Sequence, residues 1–250
     1  KWSVSTIWSN NKNKLLSLYN DGNGDALLED RDRGYYVGQS TNVIRNYQFD
    51  GIWQEGDDFE NSPQANLEST NSQPDLRPGD IRVKDTNGLD AEGNLTGVPD
   101  GKITDEDKVF IDQNPDWFGS FSTNLEYKGF DFSVLLQGAT GAKVRVFTES
   151  GDIGNFLQYN HDNRWSIDNP SSIHPRLASR GDTYYSGGNF ANNDYFLFDK
   201  DYIRIKNVEL GYNLNGDALT SSGIDNLRVF VNAFNLATFT KQDVFDPETV

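Results

Sequence analysis

The sequence predicts an all-β protein built of antiparallel hairpins, and three observations support that. Several stretches alternate apolar and polar residues with period two, as strands that cover one face do. Aromatic residues reach 13% while hydrophobic residues total only 35%, a mix suited to one-sided strands rather than to a helical bundle. No run of 18 apolar residues occurs, so neither a transmembrane helix nor a signal peptide is expected. A barrel of strands would escape that last test. Its strands alternate lipid-facing and lumen-facing residues, so their mean hydropathy can be polar.

Taken in order, residues 2–9 form a strand, with Trp2, Val4, Thr6 and Trp8 on one side and Ser3, Ser5, Ile7 and Ser9 on the other. Asp21-Gly22-Asn23-Gly24-Asp25 has a ligand-like spacing without the following Gly or a distal carboxylate, and is expected to be a turn. Tyr35–Gln39 and Tyr47–Trp53 are extended, and 54–78 is a long polar loop without periodicity. The clearest hairpin spans 121–137. Phe121, Thr123, Leu125 and Tyr127 share one face, and Phe130, Phe132, Val134 and Leu136 share the matching one across a Lys128-Gly129 turn. Gly138–Ala142 is expected to interrupt the second arm, which resumes over 143–148. Tyr127, Phe130 and Phe132 cluster at the turn end, where a barrel has an aromatic girdle. In a soluble sandwich the same residues would be core, and period alone does not separate the two.

Residues 149–193 are expected to be loop. His161 and His174 lie there without the further ligands a zinc pair needs, as solvated loop histidines. Arg164-Trp165 is expected to be an anchor that packs this loop down, the other reading being a sugar-stacking platform. Tyr202–Leu214 is the longest strand, and the change of phase at Lys206-Asn207 predicts a β-bulge. Residues 227–234 alternate again, and 235–240 are expected to trail into a loop. About eight strands result, with short and long connections alternating.

The chain's most distinctive stretch is acidic. Asp85-Thr86-Asn87-Gly88 resumes, past an insert at Leu89–Pro99, as Asp100-Gly101-Lys102-Ile103-Thr104-Asp105-Glu106-Asp107. Without the insert it reads D-x-N-x-D-G-x-I-x-x-x-D, close to a calcium loop with oxygen ligands at positions 1, 3, 5, 7, 9 and 12. Asp85, Asn87 and Asp100 would supply side-chain oxygens, Lys102 its carbonyl, Thr104 a bridging water, and Asp107 would close the site. Carboxylates ~4–6 Å apart repel by ~1–4 kcal/mol per pair, and a hard divalent cation turns that repulsion into binding. The insert breaks the ligand run, and Asp at position 12 has a shorter arm than the usual Glu. The other reading of these residues is an acidic turn between strands.

Composition excludes several functions. A formal net charge of −16 opposes nucleic-acid binding. With no Cys there is no disulfide framework, thiolate zinc site or thiol catalysis. No nucleophile elbow, phosphate loop or dinucleotide fingerprint is present, and nothing selects a carboxylate pair from the abundant acids. No enzyme is expected.

The stretch "PGDIRVKDTNG…DGKITDEDK", then "NPDWFGSFSTNLEYKGFDFSVLLQGATG", resembles SusC/RagA-type TonB-dependent outer-membrane transporters. "YYVGQSTNVIRNYQFDGIWQ", "NRWSIDNPSSIHPR", "DYIRIKNVELGYNL" and "LRVFVNAFNLATFTK" match in the same order and extend the resemblance over nearly the whole chain. It implies that residues 1–250 are a C-terminal portion of a plugged barrel of about 22 strands, without the plug or the final strands. It further implies import of oligosaccharides or peptides across the outer membrane of a Bacteroidetes-type bacterium. Energy would come through TonB, and a SusD-like lipoprotein would cap the outer face. Loops 54–116 and 149–200 would be extracellular, with the acidic loop clipped by calcium. The reading that competes with it is a secreted β-sandwich that binds carbohydrate and carries a structural calcium.

Overall fold

The structure, a computed structural model, describes the chain apart from residues 20–26, 70–71, 74, 147–151, 153, 155, 180–181, 183–191, 215, 217–218, 220, 225, 243 and 249–250. The expected turn at Asp21–Asp25 lies outside the described residues. Two compact units emerge. One holds Lys1–Asn13, Gln113–Val144 and Asp199–Val250, and the other holds Lys14–Asp112 and Arg145–Phe198.

The first unit is a five-stranded antiparallel meander. Its strands are β1 (Trp2–Asn10), β2 (Trp117–Tyr127), β3 (Phe130–Thr140), β4 (Tyr202–Leu214) and β5 (Leu227–Thr240), adjacent in that order. Lys128 and Gly129, at φ 47° and 84°, make the two-residue turn between β2 and β3. Both positive φ values match the right-handed twist of the flanking strands. The bulge in β4 falls between Ile205 and Asn207, as its change of phase predicts.

Register assigns every side chain to a face. Trp2 pairs with Leu125 and Leu125 with Phe132, while Phe132 pairs with Leu210 and Leu210 with Val231. One face therefore carries an unbroken apolar row across all five strands. The next residue over, Ser3–Asn124–Ser133–Glu209–Asn232, belongs to the opposite, polar face. Aromatic rings mark both ends of the apolar face. At the turn end Phe130 and Tyr212 are 4.4 Å apart, beside Tyr127 and Trp2; at the other end Trp8 lies 5.5 Å from Trp117. β2 spans 11 residues between these rows. At ~3.4 Å per residue and a ~45° tilt, that spans ~25 Å, the height of a barrel's apolar band.

The apolar face is exposed. Trp2 is 73%, Trp8 69% and Val231 67% exposed. A patch of this size marks a surface meant for membrane or partner. Two expectations are corrected here. Gly138–Thr140 continues β3 rather than interrupting it, because Gly138 pairs with both Gly119 and Ile203. Residues 235–240 continue β5, because the left-handed residue Asn235 (φ 50°) absorbs the loss of alternation without ending the ladder.

The second unit has the hydrophobic core. Tyr47, Ile52, Ile81, Val83, Ile103, Ala178 and Phe196 are buried together, with Phe49, Trp165 and Tyr195 packed against them. Short ladders frame it: Val43–Asn46 pairs with Val109–Asp112, Phe49–Ile52 with Ile81–Val83, and Glu29–Asp30 with Tyr35–Tyr36. The described residues of the expected loops are thus packed into a domain, even though those of 54–78 form only turns. A single helical turn and a half at Gln158–Asn163 was not foreseen; it has no side-chain cap and buries no residue. Trp165 is the expected anchor. Its indole donates to Gln54 Oε1 at 3.0 Å, and its ring lies so close to Gly79 that a Cβ there would be 2.6 Å away.

Candidate functional site

The acidic loop closes across its insert. Gly101 takes φ 83°, the left-handed turn that a side chain would oppose. Gly88 and Asp100 then meet so tightly that a Cβ on Gly88 would lie 2.7 Å from that of Asp100. The insert between them is pinched off by a Leu89–Leu95 bridge and by the Thr96 N–H donating to the Gly88 carbonyl at 2.9 Å. Ile103, fully buried, plugs the second half of the loop into the unit's core.

All five expected ligand residues come together in this loop, but their oxygens first serve the backbone. Asp107 is fully buried, and its Oδ1 accepts the N–H groups of Thr86 (2.7 Å) and Asn87 (3.0 Å). Its Oδ2 accepts from Thr104 N at 2.7 Å, completing a capping box around the short 3₁₀ turn Asp105–Asp107. Asp85 accepts from Gly101 N at 2.7 Å and from Asp100 N at 3.3 Å. Asn87 Oδ1 accepts from Gly97 N at 2.7 Å, and Asp100 Oδ1 from Lys102 N at 3.0 Å. Lys102 turns its ammonium to Glu68, 2.8 Å away. Among the described residues no three carboxylate or imidazole groups stand close enough to hold a metal ion.

The electrostatics remain unbalanced. Burial lifts the Asp85 carboxyl above its ordinary range, and the nearby charges of Asp107 and Asp100 push the same way. No described Lys or Arg comes within ion-pair distance of Asp85, Asp100 or Asp107. Asp105, next to them, is instead held below the usual range by Lys108 at 2.6 Å, with Arg31 at 2.9 Å helping.

Beneath the core lies a buried charge cluster that sequence reading missed. Asp80 is fully buried, and Arg176 Nε donates to it at 2.6 Å, Gln73 at 3.0 Å and Arg77 N at 3.2 Å. Asp182 pairs with Arg176 at 3.0 Å and also with Arg77. Burial pushes Asp80 up to about 6, against the pull of Arg176. His161 is exposed, as expected, whereas His174 is not a solvated loop residue. It lies part-buried 3.1 Å from the Tyr195 hydroxyl, edge-on to Tyr159, and burial lowers its pKa.

The polar face of the sheet carries its own network. Arg228 of β5 reaches across β4 to Asp131 of β3, and donates to Glu209 at 2.5 Å on the way; Asn213 also donates to Asp131, at 3.0 Å. Nearer the other end, Arg204 donates to Thr238 (2.7 Å), Asp246 (2.6 Å) and Glu248 (2.5 Å), while Lys206 and the Tyr202 hydroxyl also hold Glu248. These partners are far apart in sequence. Only the alternation of charge with aromatic residues around Asp131 and Arg228 hints at them.

Comparison with known proteins gives these features a context. No family model matches the chain. It is 29% identical over 258 aligned positions to TonB-dependent receptor P3 of Formosa agariphila, and 28% identical to that organism's receptor P26. Each match covers 99% of this chain and 23% of the relative, so the chain spans about a quarter of their length. Receptor P39 of the same organism is 30% identical over 186 positions, 69% of this chain. Among solved structures, the RagAB peptide importer superposes over the whole chain with a TM-score of 0.64, at 21% identity and 25% of that chain's length. Its open-open state gives 0.62. The meander is thus a stretch of transmembrane barrel wall, its apolar face toward lipid and its polar face toward the lumen. The chain is similar along its whole length to TonB-dependent receptors, and it shares the fold of the matching stretch of the RagAB peptide importer.

Proposed function

We propose that this chain is a C-terminal portion of an outer-membrane active transporter that imports large nutrients, oligosaccharides or peptides. Energy is drawn from TonB through parts of the protein outside this stretch, and a SusD-like surface lipoprotein covers the extracellular side. The observation that carries this reading is the five-stranded face, apolar between two aromatic rows and lined with charge on its reverse. One end of the sheet has the two-residue turn and the other gives rise to the long segments 11–116 and 141–201. Short turns face the periplasm and long loops the exterior in such barrels, so the packed second unit belongs outside. There it is available to substrate and lipoprotein. No observation favours the soluble sandwich.

Fractionation of cells making the full-length parent tests this. The parent is expected in the outer membrane, with a gel mobility that changes on heating, and with a surface lipoprotein in its pull-down. A soluble protein unaffected by heat would refute the reading.

The acidic loop is proposed to take calcium as a structural clip. What supports this is the like charge that Asp107 and Asp100 turn on Asp85 with no described Lys or Arg in ion-pair distance, and the Lys102 carbonyl, which accepts no hydrogen bond among the described residues; the carboxylates would have to close in on the ion. Asp85 Oδ2 and Asp100 Oδ1, which each accept one N–H, keep a second lone pair for an ion, whereas Asp107 Oδ1 is already taken by two. Calorimetric titration of the parent is expected to show calcium binding that Asp100→Ala abolishes; no heat of binding in either protein would remove the clip.

A further inference from the structure

The polar face of the sheet carries two charge networks, and they differ in what they tie together. Arg228, Asp131, Glu209 and Asn213 all belong to strands, so their network braces the wall itself. The network at the long-connection end is rooted in the wall on one side only. Tyr202, Arg204 and Lys206 stand on β4 and Thr238 on β5, but the carboxylates held there, Asp246 and Glu248, come from a segment past the end of the sheet. The ladder ends where Tyr202 pairs with Thr240, and the described residues beyond it form bends and turns.

That segment turns back onto the wall. Gln242 Oε1 accepts the N–H groups of Val244 at 3.0 Å and Phe245 at 3.1 Å, a tight turn just past β5. Asp246 accepts the Glu248 N–H at 2.9 Å, around a buried Pro247. Glu248 then meets Arg204 at 2.5 Å and Lys206 at 3.0 Å, two and four residues along β4 from Tyr202. At ~3.4 Å per residue these side chains are rooted ~7–14 Å below the last rung of the ladder, inside the rim. Arg204 and Tyr202 are buried, whereas Ser133, Glu209 and Asn232 further along the same face are not.

The wall is shaped for this contact. Lys206 is the residue that the β4 bulge leaves without a ladder partner, and a bulge re-aims the side chain it carries. Here it aims an ammonium at the Glu248 carboxylate, beside the Arg204 guanidinium. Two cations of the wall thus meet two carboxylates of the segment. Chain laid on a sheet face adds a layer about 10 Å thick. We propose that residues 244–248 are a latched strap that narrows the outer mouth of the lumen, with Arg204 and Lys206 as the latch. The inference rests on the barrel reading above, which puts this face in the lumen and this end at the exterior.

The test uses the full-length parent in intact cells, in a background without other reactive cysteines. Single cysteines are labelled from outside by two membrane-impermeant maleimides, one small and one carrying a bulky polymer. Ser120→Cys reports on the lumen wall, level with Arg204 through Gln137, and Val244→Cys on the strap. Entry into the outer membrane and heat-modifiable mobility are checked first, so failure of the barrel reading shows separately and takes this inference with it. Asp246→Asn/Glu248→Gln removes the strap's charges and leaves every strand residue in place. It is expected to raise the bulky-to-small rate ratio at Ser120→Cys about tenfold, equivalent to an opening easier by ~1.4 kcal/mol. Labelling of Val244→Cys by the small reagent should quicken as well. Lys206→Gln, which cuts the latch from the wall side, is expected to act in the same direction. Asp131→Asn, in the network that joins strands only, is expected to leave both readouts unchanged. An unchanged ratio in both latch variants, or an equal rise in Asp131→Asn, would overturn the proposal.

Discussion

Gly211 gives a prediction whose sign depends on its surroundings. It lies in β4 on the lumen face, where a Cβ would be 2.6 Å from Arg228 Nη2 and 2.6 Å from both oxygens of Asp131. Its φ is not in the left-handed region, so only the crossing ion pair requires glycine here. In Gly211→Ala the methyl must displace the guanidinium from Asp131 and weaken its 2.5 Å bond to Glu209. Those side chains are about a quarter to a third exposed, between surface and buried regimes. A destabilisation larger than the loss of a lone surface pair and smaller than that of a buried one is therefore expected, because one methyl disturbs two ion pairs at once. In an Asp131→Ala/Arg228→Ala background the same substitution has nothing to displace. There it should be neutral, or stabilise by about 0.5 kcal/mol, because alanine loses less backbone freedom than glycine in a strand. The assay is urea unfolding of the full-length parent in lipid, followed by heat-modifiable mobility, across all four corners of the cycle. An equal cost in both backgrounds would show that Gly211 is needed for some other reason, and would refute the space argument.

Two further predictions concern the second unit. Asp107→Ala leaves the N–H groups of Thr86, Asn87 and Thr104 without their acceptor in a buried site, at about 1–3 kcal/mol each where water does not replace it. Hydrogen exchange at these three amides should accelerate by at least about a hundredfold, and unchanged protection would contradict the role of Asp107 as the loop's hub. For Asp80 the folded carboxyl titrates near 6, against 3.8 without burial. The raised folded value means that its contribution to stability is fully present below about pH 4 and is lost as pH rises through 6. The shift corresponds to about 3 kcal/mol at 1.36 kcal/mol per unit. Protection of the Ile81 and Val83 amides should therefore fall between pH 4 and 7 more steeply in wild type than in Asp80→Asn, which has no proton to lose; parallel slopes would contradict this.

The sheet was legible in the sequence to the extent that one face of each strand was alternating. β1, the β2–β3 turn and the β4 bulge all follow from period and turn residues, because those signals are local. β3 past Gly138 and β5 past Asn235 were missed. There the ladder is kept by pairing with neighbouring strands, while the local residues look like breaks. The second unit was read as loop for a related reason. Its core joins Tyr47, Ile81, Ile103, Ala178 and Phe196, single residues from distant segments with no shared period. In the acidic loop the spacing identified the residues that converge and the turn at Gly101. It did not reveal that Asp85 and Asp107 would satisfy backbone N–H groups, since that depends on how the insert folds. The Asp80–Arg176 pair, 96 residues apart, leaves no local trace, and the Asp131–Arg228 pair, 97 apart, leaves only charges alternating with aromatic residues on each strand.

The central claim is that the face shared by Leu125, Val134 and Leu210 meets lipid, and one pair of substitutions tests it most directly. Val134 and Ser133 are adjacent in the middle of β3 and point to opposite faces, Val134 between Thr123 and Val208, Ser133 between Asn124 and Glu209. Arginine near the midplane of the lipid face costs about 2–4 kcal/mol, whereas the lumen tolerates charge. In the full-length parent, Val134→Arg should sharply reduce the heat-modifiable outer-membrane form while Ser133→Arg assembles like wild type. Equal assembly of the two, or failure of Ser133→Arg alone, would contradict the assignment of faces.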